Sequence, residues 1–234
     1  MARLLSWPLG LRANRMRPLS GPRTVGAAQS ESIGAFVQTS ASPFGMVSLE
    51  FGFPPIRGQM ARRVRGWVKG LHGGANATRV KLCDWDGLAP ALRGVPSLKD
   101  GQPWDNGLPW SSGQEWKAGS TFAPVQATAS KGSTIIALAD VFWGHLLGIG
   151  DRVGFVDHFG AYEVTEVLEP GLYRLDLPLR RAVSVDDFAT LEPVLAMRLL
   201  GENGAQADRD ATFVSLTVQL VEVLDADVRA YFAD

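Results

Sequence analysis

Apolar and polar residues alternate with a period of two along much of this chain. In the last run, Phe213, Ser215, Thr217, Gln219 and Val221 alternate with Val214, Leu216, Val218, Leu220 and Glu222, so one face is mainly apolar and a long strand is expected. Shorter runs of β-prone residues cover 33–38, 46–51, 78–85, 133–138, 162–168, 172–177 and 194–200. Turn chemistry separates them. Thr-Ser-Ala-Ser-Pro-Phe-Gly lies between the first two, Pro170-Gly171 between the fifth and sixth, and a Gly-Glu-Asn-Gly hinge with a polar loop before the last run.

One stretch departs from this period. Across 56–71, Ile56, Met60, Val64, Trp67, Val68 and Leu71 fall at helical spacing, with Arg62, Arg65 and Lys69 on the opposite face. A helix is expected here. Gly58, Gly66 and Gly70 oppose it, at about 1 kcal/mol each relative to Ala, and 64–68 also reads as a strand. The basic face suits solvent or a neighbouring subunit better than nucleic acid.

The first 31 residues carry Arg3, Arg12, Arg15, Arg17 and Arg23 and no acid before Glu31, with Pro8, Pro18 and Pro22 set against regular structure. This segment reads as an arm, either solvated and loosely docked or tying neighbouring subunits together through arginine–carboxylate pairs. Residues 87–119 are rich in Gly, Pro, Trp and Ser and mark a boundary region, and 141–147 reads as a turn or helical connection. Short strands then recur at about ten-residue spacing, as in a small barrel. The expected fold class is therefore all-β with one short helix, a β-sandwich with an inserted small OB-like β-barrel. The expected division is 1–100 for the arm and first part of the sandwich, 101–122 for a connecting loop, 123–190 for the inserted barrel, and 191–234 for the strands that complete the sandwich.

Composition narrows the functional classes. Of 234 residues, 46% are hydrophobic and 20% charged, enough to bury a core. With 23 basic against 24 acidic residues, no global field draws the chain to nucleic acid or anionic lipid, so sequence-specific nucleic-acid binding is not expected. No stretch reaches the roughly 18 apolar residues of a membrane span, so no membrane insertion is expected. Pro8 and the arginines after it, with no cleavage site, argue against a signal peptide. The single cysteine, Cys83, builds no disulfide framework, which fits a reducing compartment.

Candidate chemistry is sparse. A six-residue repeat, Gly101-Gln-Pro-Trp104, Gly107-Leu-Pro-Trp110 and Gly113-Gln-Glu-Trp116, places three tryptophans in register. Such rings either stack on sugars, making Trp104, Trp110 and Trp116 glycan contacts, or anchor the loop in a crevice between domains or subunits. His72, His145 and His158 are too scattered for a metal set, and no nucleophile motif surrounds any serine or Cys83. The pairs Asp84/Asp86 and Asp186/Asp187 suit solvation or turn capping better than acid–base work. Asn76-Ala77-Thr78 is a sequon of the kind that arises by chance. No catalytic, cofactor-binding or metal-binding residue is expected, and no cofactor.

The order of these segments resembles the distal tail proteins of long, non-contractile-tailed bacteriophages, from about residue 7 to 223. The resemblance is carried by 62–82 (RRVRGWVKGLHGGANATRVKL), the loop Asp100-Gly-Gln-Pro-Trp-Asp-Asn-Gly, 148–164 (GIGDRVGFVDHFGAYEV), Pro178-Leu-Arg-Arg-Ala and Ala196-Met-Arg-Leu. It implies a virion structural protein of the tail tip, made in the host cytoplasm. The implied assembly is a homo-oligomeric ring, usually hexameric, that joins the tail tube protein to the tail hub and adhesion proteins, with the barrel on its periphery. It carries over no catalytic residues and matches neither the arginine-rich first segment nor the tryptophan repeat. A receptor- or glycan-binding tail-tip module using that repeat is the alternative.

Overall fold

The computed structural model of the chain describes residues 2–20, 30–31, 37–38, 46–82, 122–139, 147–156, 158–201, 203–209 and 213–233. They are mostly β-strand, with two short helices. In chain order the elements begin with β1 (Ala2–Leu5), β2 (Arg15–Ser20), β3 (Ser30–Glu31), β4 (Val37–Gln38), β5 (Ser48–Gly52), α1 (Gly58–Gly70) and β6 (Ala77–Lys81). Next come β7 (Phe122–Ala127), β8 (Ile135–Leu138), β9 (Arg152–Phe155), β10 (His158–Glu169), β11 (Leu172–Leu175) and β12 (Phe188–Thr190). The chain finishes with β13 (Val194–Leu199), β14 (Ala205–Arg209), β15 (Val214–Glu222), α2 (Asp225–Tyr231) and β16 (Phe232–Ala233). Two compact units result: Met1–Val80 with Leu195–Asp234, and Lys81–Val194.

The first unit is a sheet of eight strands in the order β16-β1-β6-β13-β15-β5-β2, with β14 also paired to β15. Its centre is β15, whose Leu216, Val218 and Leu220 are buried while the residues between them are not, as the alternation requires. Leu49 pairs with Leu220 and Met197 with Glu222, so strands from both ends of the chain build one core. The polar loop after the Gly-Glu-Asn-Gly hinge is not a loop throughout. Ala205–Arg209 pairs antiparallel with Val214–Val218, because the partner strand supplies the register that its own alanines and charges do not advertise.

Two stretches of the segment expected to be an arm are strands of the sheet. β1 lies parallel between β16 and β6, and β2 is the outermost strand, beside β5. Pro18 is compatible with strand structure there because an edge position needs no second ladder of N–H donors. Trp7 is held by its indole Nε1 donating to the Leu11 carbonyl at 2.8 Å, and its ring lies 5.6 Å from Phe51, 5.8 Å from Phe53 and 5.0 Å from Trp67. An aromatic cluster of this size holds the segment against the sheet.

Helix α1 forms where its period of apolar residues falls, and Val64, Trp67 and the following Leu71 are buried. Trp67 Nε1 donates to Thr78 Oγ1 at 3.3 Å. The helix ends in a 3-10 turn at His72–Gly74, where Gly74 has φ +100° and a Cβ would lie 2.8 Å from the Leu199 carbonyl oxygen; only glycine fits.

The second unit contains a closed barrel of six strands, β10-β11-β8-β7-β12-β9. One strand makes two walls: β10 pairs with β9 through its first half and with β11 through its second. Irregularities between His158 and Tyr162, and again between Val164 and Glu169, bend it around the corner. Ala123, Ile136, Val153, Tyr162, Val164 and Tyr173 fill the interior. The insertion's two ends meet, since Leu82 N–H donates to the Pro193 carbonyl at 3.0 Å.

Candidate assembly surfaces

In the sheet unit, the exposed side of α1 is basic over most of its length. Its thirteen residues include no acid, and Arg62, Arg65 and Lys69 are exposed at one-turn spacings along one face, preceded by exposed Arg57. Like charges at such spacings destabilise a helix by about 0.2–0.5 kcal/mol per pair. No carboxylate among the described residues lies within ion-pair distance of any of the four. They border a groove of about 590 Å³ between α1 and the residues leading into β15, with Val64, Val68, Phe213, Val214 and Leu216 among its apolar lining. The groove has a fixed floor: Ile56 and Val214 exchange backbone hydrogen bonds at 2.9 and 2.7 Å.

The acids of this unit that lie deepest are committed to structure. Glu222 is buried and its Oε2 accepts the Val47 N–H at 3.0 Å, while Asp225 receives Arg229 through Nε at 3.0 Å and Nη2 at 3.4 Å. Among the described residues, the edges of the sheet are β2, with Arg15, Arg17 and Pro18 exposed, β14, which pairs only with β15, and the two-residue β16. Leu9 is 86% exposed and Tyr231 64%, so apolar side chains are presented as well.

In the barrel unit, three polar groups of the interior cluster at Tyr162. The Tyr162 hydroxyl accepts the Arg180 N–H at 2.8 Å and lies 3.0 Å from His158 Nε2, while the imidazole stacks on Phe155 at 5.7 Å. Burial pushes the Tyr173 phenol above its ordinary value, partly offset by hydrogen bonds with the backbone at Gly171 and Leu147.

Of the residues singled out in the sequence, only some lie among the described ones. Trp104, Trp110 and Trp116 lie outside the described residues, as do Cys83, His145, Asp84 and Asp86. His72 sits in a turn with φ +45°, in the sheet unit, and His158 in the barrel. Among the described residues no group of three or more His, Cys, Asp or Glu side chains could hold a metal ion. Asp187 caps a turn, its Oδ2 accepting the Ser184 N–H at 2.7 Å and the Ser184 hydroxyl at 3.2 Å. No helix among the described residues is long and apolar enough to cross a membrane.

No protein-family model matches the chain, and no curated protein sequence matches it. Its surfaces therefore have to speak from geometry.

Asn76 carries more than its chance sequon suggested. It is buried, its Oδ1 accepts the Arg3 N–H at 2.8 Å, and its Nδ2 donates to the Gly70 carbonyl at 2.7 Å. It thus ties β1 to the end of α1, an arrangement that leaves no room for a glycan on the amide. Turn composition around His72-Gly-Gly was the available signal; which polar side chain would be recruited is decided only by the fold.

Proposed function

We propose that this chain is a distal tail protein of a long, non-contractile-tailed phage, a non-enzymatic subunit of the ring that joins the tail tube to the hub and adhesion apparatus. The observation that carries this reading is the chain's organisation: a sheet drawn from both ends of the sequence, interrupted by a closed barrel. In this reading the sheet unit belongs to a sandwich-type ring domain and the insertion is an OB-like barrel at its periphery. The neighbours are other copies of the chain, the tail tube protein above and the hub below, and the site of action is the tail tip of the virion.

Physical chemistry supports a ring. An open sheet edge and exposed apolar side chains are liabilities for a monomer, and closed cyclic assembly covers both. The edge strand β2 offers arginines, which pair with carboxylates across subunit boundaries more readily than lysines do.

The test is the mass of the purified protein by light scattering, with negative-stain imaging. Rings of about six copies, formed alone or on adding the tail tube protein, support the connector reading. A chain that stays monomeric with its tail partners and instead binds host glycan overturns it.

A further inference from the structure

We propose that the groove along α1 is a docking site for an acidic, amphipathic segment of a partner protein, one that places carboxylates at one-turn spacing around an apolar side chain. Three observations converge on that occupant. Arg57, Arg62, Arg65 and Lys69 border the groove with no carboxylate among the described residues in ion-pair distance, although pairing is how surface cations at such density are ordinarily relieved. The space between them is apolar, with Val68 half-buried and Phe213 exposed, so the surface offers a hydrophobic seat inside a cationic frame. The cations stand on a regular helix whose opposite face is locked by Trp67, so their spacing is fixed before anything binds.

The apolar seat decides between classes of polyanion. A nucleic-acid backbone is met by cations and hydrogen-bond donors, and gains little from Val68 or Phe213 unless bases are splayed out onto aromatic rings. A peptide with carboxylates flanking a leucine or phenylalanine satisfies both parts of the surface at once. Arginine at Arg62 and Arg65 adds forked hydrogen bonding to a carboxylate, which lysine does not supply. Binding in this groove is independent of the ring reading, since it requires neither a second copy of the chain nor a phage.

The experiment uses the whole chain and a fluorescent synthetic peptide that carries glutamates three and four residues apart around a leucine and a phenylalanine, read by anisotropy. Saturable binding that weakens with added salt is expected, at least about tenfold weaker in the Arg62→Glu/Arg65→Glu variant. Phe213→Ser is expected to weaken it severalfold without changing the salt dependence. Both variants alter exposed side chains, and circular dichroism checks that they fold. The proposal is overturned if the peptide does not bind, if charge reversal leaves binding unchanged, or if a duplex or single-stranded DNA oligonucleotide displaces the peptide and binds more tightly. It is equally overturned if the groove seats a second copy, seen as a dimer in light scattering that Arg62→Glu dissolves.

Discussion

Among the described residues, the barrel of Lys81–Val194 has no free strand edge, because β9 returns to β10, whereas the sheet of the other unit runs out at β16, β14 and β2. The two also differ in how their charges are arranged. In the barrel, His158, Tyr162 and the Arg180 backbone bind one another inside, and the exposed Arg174 is paired with Glu166; on the sheet unit, exposed cations are displayed along α1 and β2. Closure satisfies a β structure from within, and an open sheet leaves hydrogen-bonding capacity and charge for something else. Among the described residues, the unpaired strand edges and the unpaired row of cations therefore fall on the unit made from the two ends of the chain.

That contrast can be broken one unit at a time. The largest effect is expected from Leu220→Ala, which empties the centre of the sheet at a fully buried position and costs about 3 kcal/mol. In scanning calorimetry it should lower a sheet transition and leave the barrel's in place; an equal shift of both would show that the units unfold as one. Gly154→Ala is the reciprocal change. A Cβ there would sit 2.7 Å from Pro193 Cβ and 3.0 Å from the Gly160 carbonyl, costing about 2 kcal/mol in the barrel alone.

Asn76→Ala should cost a similar or slightly smaller amount, about 2 kcal/mol, by leaving the Arg3 N–H and the Gly70 carbonyl without their partner. Faster amide exchange in β1, with the barrel amides unaffected, is the confirming measurement. The smallest change is in pH response. Because burial raises the Tyr173 phenol above 10.0, the folded chain keeps a proton that the unfolded chain releases. Stability from this group is intact below pH 10.0 and is lost as pH rises through the folded value. Tyr173→Phe should cost about 1 kcal/mol at neutral pH and flatten the alkaline decline of the barrel's urea midpoint.

Much of this was legible beforehand, for identifiable reasons. The alternation in β15 and the helical period of α1 are strong because burial at Leu216, Val218, Leu220, Val64 and Trp67 is what selects them. Pro170-Gly171 marked the turn between β10 and β11, where Gly171 takes φ +85°. What was missed depends on distant partners. β2 was hidden by a proline and arginines that an edge position tolerates, β1 by its shortness and its pairing with strands far along the chain, and β14 by a composition that only its pairing with β15 makes a strand. The basic face of α1 was visible, but the groove beside it was not, since Phe213 and Val214 arrive from far along the chain. The three tryptophans stay a feature of the sequence, outside the described residues.

The hydrogen bond between Leu82 and Pro193 has a consequence in time. As the chain is made, β1, β2, β5 and β6 emerge first, yet β5 must wait for β15, and Leu49 for Leu220, until the whole insertion has followed. Pairings this remote are slow to find. A barrel that folds as soon as it is complete draws its own two ends together, and so delivers β13 beside β6 with the long search already done. The insertion would then set the order of events, and a barrel slowed by Gly154→Ala would hold back a sheet it does not belong to.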